Sequence, residues 1–388
     1  MQRTAKRGLT REQRSHWRAN IILVKKKDGK DRFCIDYRKL NEQSFIISYP
    51  MPLIQEILAN LNGMKFFSKV DFCEGYWGIP LNEASKPITG FATRTKQYVW
   101  NVLPQGYVNA GNIFQSNVNK TLGDMLWKGA MPYVDDVIIY AKTLKEHLAR
   151  LEEFFKKISE ANFFLKLRKC EFLMEQMEFL GHTLTPQGLR PSDEKIRAIS
   201  RLSPPKTPKA VQSFLGVGGF YRRYINNFAA RTHNLRSLIK KGTAFNWTSE
   251  HQFEFEDIKN ELCKAPILAY PDWNKTFVIQ TDASIIGLGA VLMQLYDQGY
   301  KVVEYASRAT SDCEKRYGIS ELECAAVIWA VDKFKFYISN THLNWLLIIV
   351  LWLALKTYLT IMLNCIGGLS SYQDLITLSP TSKGSLIL

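Results

Sequence analysis

Pro132-Tyr133-Val134-Asp135-Asp136-Val137-Ile138-Ile139-Tyr140 sets two adjacent carboxylates between short runs of β-branched and aromatic residues. Such runs favour strands, and a two-residue link between them reads as a hairpin. Asp tolerates the positive-φ positions of a tight turn, so the spacing predicts both acids at the hairpin tip. A lone Asp-Asp pair is usually a solvated turn, but burial of Val137-Ile138-Ile139 would carry these two toward the core. Like charges held so close repel unless a cation neutralises them. Mg²⁺ binds through one or two carboxylates plus substrate phosphates, and a third acid would complete a two-metal site for in-line phosphoryl displacement.

The chain has 388 residues and 51 Lys and Arg against 36 Asp and Glu, a net charge of +15. That imbalance points to a polyanionic partner, nucleic acid first and an anionic membrane second. The seven Cys include no C-x-x-C pair and are odd in number, which indicates neither a zinc site nor a disulfide framework and fits a reducing compartment. Ile21–Val24 is too short for the core of a signal peptide. The expected location is therefore cytoplasmic or nuclear, not secreted, with residues 1–15 as a basic, disordered leader.

Asn20 to Asn41 reads as strand, Asp28-Gly29 turn and strand. Its cations Lys25, Lys26, Lys27, Lys30 and Arg32 suit a solvated surface and a phosphate grip equally well. Phe66, Phe67 and Val70 make a strand ending at Asp71, the candidate third acid, followed by Gly75 and Gly78 where the backbone must turn tightly. Two strands and a helix opening after Gly111 are expected across 87–115. Thr143 and Glu146 fit a capping box, after which Leu144, Leu148, Leu151, Phe155 and Ile158 repeat at helical spacing as a core face. Glu178 to Leu184 reads as one short strand, and Thr207-Pro208 as a helix start. Arg222-Arg223 lies among aromatics, which suits either a nucleic-acid backbone or an ordinary amphipathic helix. A second module begins near Phe245. Within it Thr276–Ser284 is a strand bearing Asp282, Gly287–Gln294 is another strand, and a helix carries Glu321 and Glu323 to about Tyr337.

Taken together these stretches resemble the reverse transcriptase–RNase H segment of gypsy-class LTR-retrotransposon Pol polyproteins. The resemblance rests on Leu-Val-Lys-Lys-Lys-Asp-Gly at 23–29, Arg-Phe-Cys-Ile-Asp-Tyr-Arg-Lys-Leu-Asn at 32–41, Phe-Ser-Lys-Val-Asp at 67–71 and Tyr-Val-Asp-Asp at 133–136. It continues through Glu-His-Leu at 146–148, Phe-Leu-Gly-His at 179–182, Ser-Phe-Leu-Gly at 213–216 and Tyr-Arg-Arg-Tyr-Ile at 221–225. Ala-Tyr-Pro-Asp at 269–272, Thr-Asp-Ala-Ser at 281–284 and Tyr-Ala-Ser-Arg at 305–308 complete it.

The resemblance implies an α+β right-hand polymerase, with fingers and palm over 16–190 and a thumb over 191–244. An incomplete RNase H-like domain would follow over 245–340. Asp71, Asp135 and Asp136 would be the catalytic triad holding two Mg²⁺, one acting on the primer 3′-hydroxyl and the other on the triphosphate and departing pyrophosphate. Lys26 and Arg32 would grip the incoming deoxynucleoside triphosphate, Tyr76 would collide with a ribose 2′-hydroxyl, and Gln105-Gly106 would pack near the nascent base pair. Leu180-Gly181 would contact the primer, and Arg222 and Arg223 the primer–template backbone. The implied partners are an RNA or DNA template, a primer and, in the particle, other polyprotein products; no membrane is implied. Gln105 stands where gypsy-class sequences usually carry Phe, and Leu103-Pro-Gln-Gly106 has the retroviral form.

Asp282 and Glu323 would be remnants of an RNase H site, because the family's further Thr-Asp-His-x-Ala-Leu segment has no match after Ile338. Residues 341–388 hold a single acid, Asp374, and the apolar run Trp345–Leu355, about half the length of a ~20-residue membrane span. Codons permitted for Leu347-Ile-Ile-Val-Leu-Trp352 read in another frame as Asp-His-Ser-Ala-Leu, so an out-of-frame tail is expected, which the genomic sequence tests. The expected function is RNA-directed DNA synthesis with RNase H activity lost. The alternative is a catalytically inactive relic that binds nucleic acid.

Overall fold

The computed structural model describes residues 7–25, 29, 31–72, 75–264, 267–339 and 386–387, with only the backbone at Asp31, Arg32, Leu386 and Ile387. Among these residues the chain divides into two compact units, 1–179 and 180–388, and no helix is long and apolar enough to cross a membrane. The expectations for Lys26 and for the tail at 341–385 lie outside the described residues.

The first unit begins with β1 (Thr10–Glu12), β2 (Asn20–Lys25), β3 (Asp31–Asp36), α1 (Arg38–Gln43) and α2 (Ile54–Ala59). There follow β4 (Phe66–Asp71), β5 (Phe91–Ala92), β6 (Gln97–Trp100), α3 (Ala110–Leu122), β7 (Ala130–Tyr133), β8 (Asp136–Ala141), α4 (Leu144–Glu160), β9 (Glu171–Met174) and β10 (Met177–Phe179). β2 and β3 form the expected hairpin, with Val24 opposite Arg32. A small sheet of order β1-β6-β5 contributes Phe91 and Trp100 to a cluster with Ile35 and Tyr37. Residues 10–12, expected within a disordered leader, are ordered here as β1 by pairing with Tyr98–Trp100 of β6.

The central sheet has the order β7-β8-β4-β9, antiparallel throughout. Val137 through Ala141 are all buried, as expected for a strand covered on both faces and apolar without interruption. α3 and α4 close one face through Phe114, Val118, Leu122, Leu151, Phe154 and Ile158, packed on Val70, Val137 and Ile139.

Two sequence expectations shift here. α3 opens at Ala110 behind Asn109, not after Gly111. On α4 the buried residues are His147, Leu151, Phe154 and Ile158, while Leu144, Leu148 and Phe155 are exposed. The reason is polar: His147 Nε2 and Ser68 Oγ on β4 are 2.7 Å apart, so an imidazole fills a position that apolar periodicity assigns to leucine. The Thr143 cap forms, accepting from the Glu146 N–H at 3.3 Å. The Glu146 carboxylate, however, accepts from the Lys142 N–H, one residue earlier than a capping box requires.

The second unit starts with the hairpin β11 (His182–Thr185) and β12 (Gly188–Pro191). The stretch read as one strand is thus broken, because Leu180 and Gly181 both take positive φ (48° and 81°). Helices α5 (Asp193–Ser200), α6 (Pro208–Phe220), α7 (Phe228–Arg231), α8 (His233–Ser237) and α9 (Ser249–Cys263) follow. Thr207 caps α6 by accepting from the Ala210 N–H at 3.2 Å, with Pro208 at the first turn as expected. α9 packs against α5, α7 and α8. The meander β13 (Phe277–Ala283), β14 (Gly287–Tyr296) and β15 (Gly299–Ala309) is covered by α10 (Ile319–Lys333) and α11 (Lys335–Ser339). The helix expected to reach Tyr337 is interrupted at Phe334. Leu386–Ile387 pairs with Thr281 and Gln280 of β13.

Candidate active site

β4 and β8 run antiparallel in a register that sets Asp71 directly opposite Asp136. Two acids 65 positions apart in the chain thus meet at one end of the central sheet. Asp135 lies in the link before β8, and its carbonyl accepts from the Phe72 N–H at 3.3 Å, tying the tip to the end of β4. Burial pushes the Asp136 carboxyl above its ordinary value; the charges of Asp71 and Asp135 add to the rise, while Lys69 and Lys169 oppose it. The three acids expected to converge are brought to one sheet end, where burial and their mutual charge together outweigh the opposing lysines at Asp136.

The turn differs from expectation. Asp136 already pairs with Tyr133 as the first residue of β8, and the left-handed residue is Val134, at φ 54°. A β-branched side chain is disfavoured in this region by roughly 1–2 kcal/mol. What holds it is Gln115 on α3, fully buried. Gln115 Oε1 accepts from the Val134 N–H at 2.8 Å, and its Nε2 donates to the Pro132 carbonyl at 3.1 Å. One amide therefore fixes the backbone on both sides of Tyr133. The only sequence sign of this residue is a polar side chain at a core position of α3.

A second residue that sequence reading missed is Lys169, whose ammonium donates to Asp71 Oδ2 at 2.9 Å. That hydrogen bond raises the Lys169 pKa, with Asp136 and Asp135 contributing. Lys69, two residues before Asp71, pairs with Glu171 at 2.9 Å and donates to the Glu178 carbonyl. Among the described residues no three His, Cys, Asp or Glu side chains close around a point as a finished metal cage. The donor set nevertheless suits a hard cation. All three groups are carboxylates, the preferred ligand type of Mg²⁺, and a cationic ammonium already rests on one of them.

Tyr76 lies in the 3₁₀ turn Gly75–Gly78 and packs on Phe114 with ring centroids 5.2 Å apart. Burial raises its pKa, and the charge of Asp135 adds to the rise. Gly75 is required by close approach: a Cβ there would lie 2.6 Å from the Phe114 ring. Gln105 is half-buried beside Gly106, which has φ +93°. Asn41 on α1 holds this loop, its Nδ2 donating to the Gly106 carbonyl at 3.0 Å and its Oδ1 accepting from the Val108 N–H at 2.9 Å. Arg32 is on β3.

In the second unit, the Gly181 carbonyl accepts from the Tyr221 hydroxyl at 2.8 Å and from the Ser192 N–H at 3.2 Å, fixing the Leu180-Gly181 turn. Arg222 is exposed on the 3₁₀ turn Arg222–Tyr224 that follows α6. Arg223 departs from expectation, because its guanidinium is turned inward, 3.6 Å from Glu304 of β15. Burial opposes its charge and Glu304 more than compensates, holding it above the ordinary arginine value. An arginine so placed is spent on the fold and is not presented to a phosphate. Asp282 on β13 accepts from Asn227 Nδ2 at 3.0 Å. Glu323 is on α10, which packs against β13.

His182 stacks on Phe220 and stands 2.7 Å from the Tyr224 hydroxyl. Burial, reinforced by the Arg223 charge, pushes its imidazole down to about 3. Its folded-state value is depressed, so the stability it contributes is complete above the unfolded value of about 6.5 and is lost as pH falls toward 3. At pH 5 the loss is about 2 kcal/mol. Melts at pH 7 and pH 5 should show it, and His182→Phe should flatten the dependence even if it lowers the pH 7 Tm. An equal slope in the variant rejects the assignment.

Comparison with known proteins agrees with this geometry. Residues 24–184 match the family described as reverse transcriptase (RNA-dependent DNA polymerase), and residues 247–344 match the RNase H-like domain found in reverse transcriptase. The chain is 37% identical over 344 residues to the retrovirus-related Pol polyprotein from transposon 297 of Drosophila melanogaster, covering 87% of this chain and 32% of that one. It is 31% identical over 337 residues to the transposon Tf2-3 polyprotein of Schizosaccharomyces pombe, covering 25% of it. The chain thus spans about a third or less of the curated relatives it matches. Among solved structures, the foamy viral protease-reverse transcriptase in complex with dsDNA aligns with a TM-score of 0.78 at 32% identity, covering 85% of this chain and 69% of that one. The same protein with an RNA/DNA hybrid aligns at 0.74. With a right-hand polymerase fold followed by an RNase H-like domain, the chain belongs to the reverse transcriptase family of retroelement Pol polyproteins.

Proposed function

We propose that the chain is an RNA-directed DNA polymerase of a retrotransposon, which extends a primer on an RNA or DNA template with deoxynucleoside triphosphates. The observation that carries this is the register placing Asp71 opposite Asp136 with Asp135 beside them. These three residues would hold two Mg²⁺; when bound, the ions supply charge neutralisation at the triphosphate and acidify the primer 3′-hydroxyl. The chain's own contribution is position. Gln115 and the Phe72 N–H fix the acidic tip, Tyr76 offers a ring against a 2′-hydroxyl, and Asn41 holds the Gln105-Gly106 loop against the nascent pair. Lys26 and Arg32 grip the triphosphate, and Leu180, Gly181 and Arg222 meet primer and template. The ordered motifs quoted above favour the gypsy class, Gln105 being the one retroviral feature. The foamy viral complexes support duplex and hybrid as ligands.

Primer extension on an RNA template is the test. Extension that disappears in Asp135→Asn supports the enzyme, whereas tight primer–template binding without extension in the native chain supports the inactive relic. A second expectation concerns the RNase H-like domain, where the family's Thr-Asp-His segment has no counterpart. An RNA–DNA hybrid should remain uncut. Release of RNA fragments that ceases in Asp282→Asn would overturn this.

A further inference from the structure

Asn227 has the left-handed conformation (φ 52°) just before α7, and its side chain reaches the far end of β13. There its Nδ2 donates to Asp282 Oδ2 at 3.0 Å. Gly289 on β14 is the cross-strand partner of Asp282, and a Cβ at Gly289 would lie 2.0 Å from Asn227 Oδ1. The glycine therefore leaves a notch that the asparagine fills. One residue pair away, the Ala229 N–H donates to Ser307 Oγ on β15 at 2.9 Å. Arg223 inserts toward Glu304 of the same strand, and Glu304 also accepts from the Tyr337 hydroxyl at 2.9 Å. Glu304 is 6% exposed, so this ion pair lies where breaking either partner leaves a buried charge.

We propose that these contacts form an interlock in which Asp282 is the acceptor for Asn227 and Glu304 the acceptor for Arg223. The RNase H-like sheet is then a rigid mount for the helices that precede it. The carboxylate expected to bind a metal for RNA cleavage thus also holds a neighbouring segment in place. The interlock gives Asp282, Gly289 and Glu304 a close-fitting arrangement that does not depend on nuclease chemistry. The interlock stands without the polymerase reading. Its consequence, a stiffer grip on primer–template, rests on that reading, so the test has one readout for each.

The full chain is compared with Asn227→Asp, Asp282→Asn and the exchanged pair Asn227→Asp/Asp282→Asn. Asn227→Asp sets two carboxylates together, and Asp282→Asn sets two amides together with the charge removed. The exchange restores one amide facing one carboxylate. Hydrogen exchange at the amides of 228–231 should rise roughly tenfold in Asn227→Asp and return toward the native rate in the exchanged pair. Dissociation of a fluorescent DNA primer on an RNA template should follow the same order, several-fold faster and then recovered. Glu304→Gln, read by the same exchange, should loosen 222–231 without altering the Asn227 bond. Native exchange rates in both Asn227→Asp and Glu304→Gln overturn the interlock, as does an exchanged pair no better than Asn227→Asp. Altered exchange with unchanged primer dissociation keeps the interlock and rejects only its role in primer–template grip.

Discussion

Asp136→Asn is expected to lower primer extension by on the order of 10³-fold, while the melting temperature stays level or rises. The two effects have one cause. Asp136 is half-buried and its charge is opposed by burial and by the neighbouring Asp71 and Asp135. An amide of the same shape removes that repulsion, and so does not harm the fold. The same repulsion is what a divalent ion would relieve, so the variant also loses most of the site's affinity for one. Single-turnover extension over a Mg²⁺ or Mn²⁺ titration, beside thermal melts with and without ion, measures both. A variant retaining a tenth of native extension at saturating ion would mean that Asp136 is not a metal ligand.

Gln115→Ala comes second in size. The buried amide makes two hydrogen bonds to the backbone flanking Tyr133, and one of them holds the strained Val134. Truncation strands a buried N–H and a carbonyl, at a cost of about 2–4 kcal/mol. The strained turn then relaxes and the carboxylates lose their alignment, so extension should fall roughly 10–100-fold, in kcat more than in KM. Val134→Gly in the same background should recover part of the stability, because glycine takes φ 54° without steric cost. If Gln115→Ala melts with the native chain and extends primers at the native rate, the clamp is not what positions the acids.

Much of this was readable beforehand. The β-branched run at 137–139 announced a strand covered on both faces, and Phe66 to Asp71 announced its partner. The ordered motifs made the convergence of three acids an expectation, and the register of β4 on β8 sets Asp71 opposite Asp136. What stayed hidden were side chains whose role depends on contacts far away in sequence. His147 displaced leucines from the α4 core face because Ser68 waits opposite. Arg223 looked like a phosphate ligand until Glu304, 81 residues later, accounted for its charge. Val134, not an aspartate, carries the left-handed turn because a glutamine from α3 reaches it, and local propensity has no term for such a clamp.

The close approach of Gly75 to Phe114 ties Tyr76 to the core that α3 shares with the central sheet. A methyl group at 75 has room only if the ring at 114 shrinks, and a smaller ring would leave Tyr76 without the surface it leans on. Positions 75, 76 and 114 should therefore vary together among related polymerases. On the gating role proposed for Tyr76, lineages that alter their choice between ribose and deoxyribose should show compensating changes inside the core as well as at position 76.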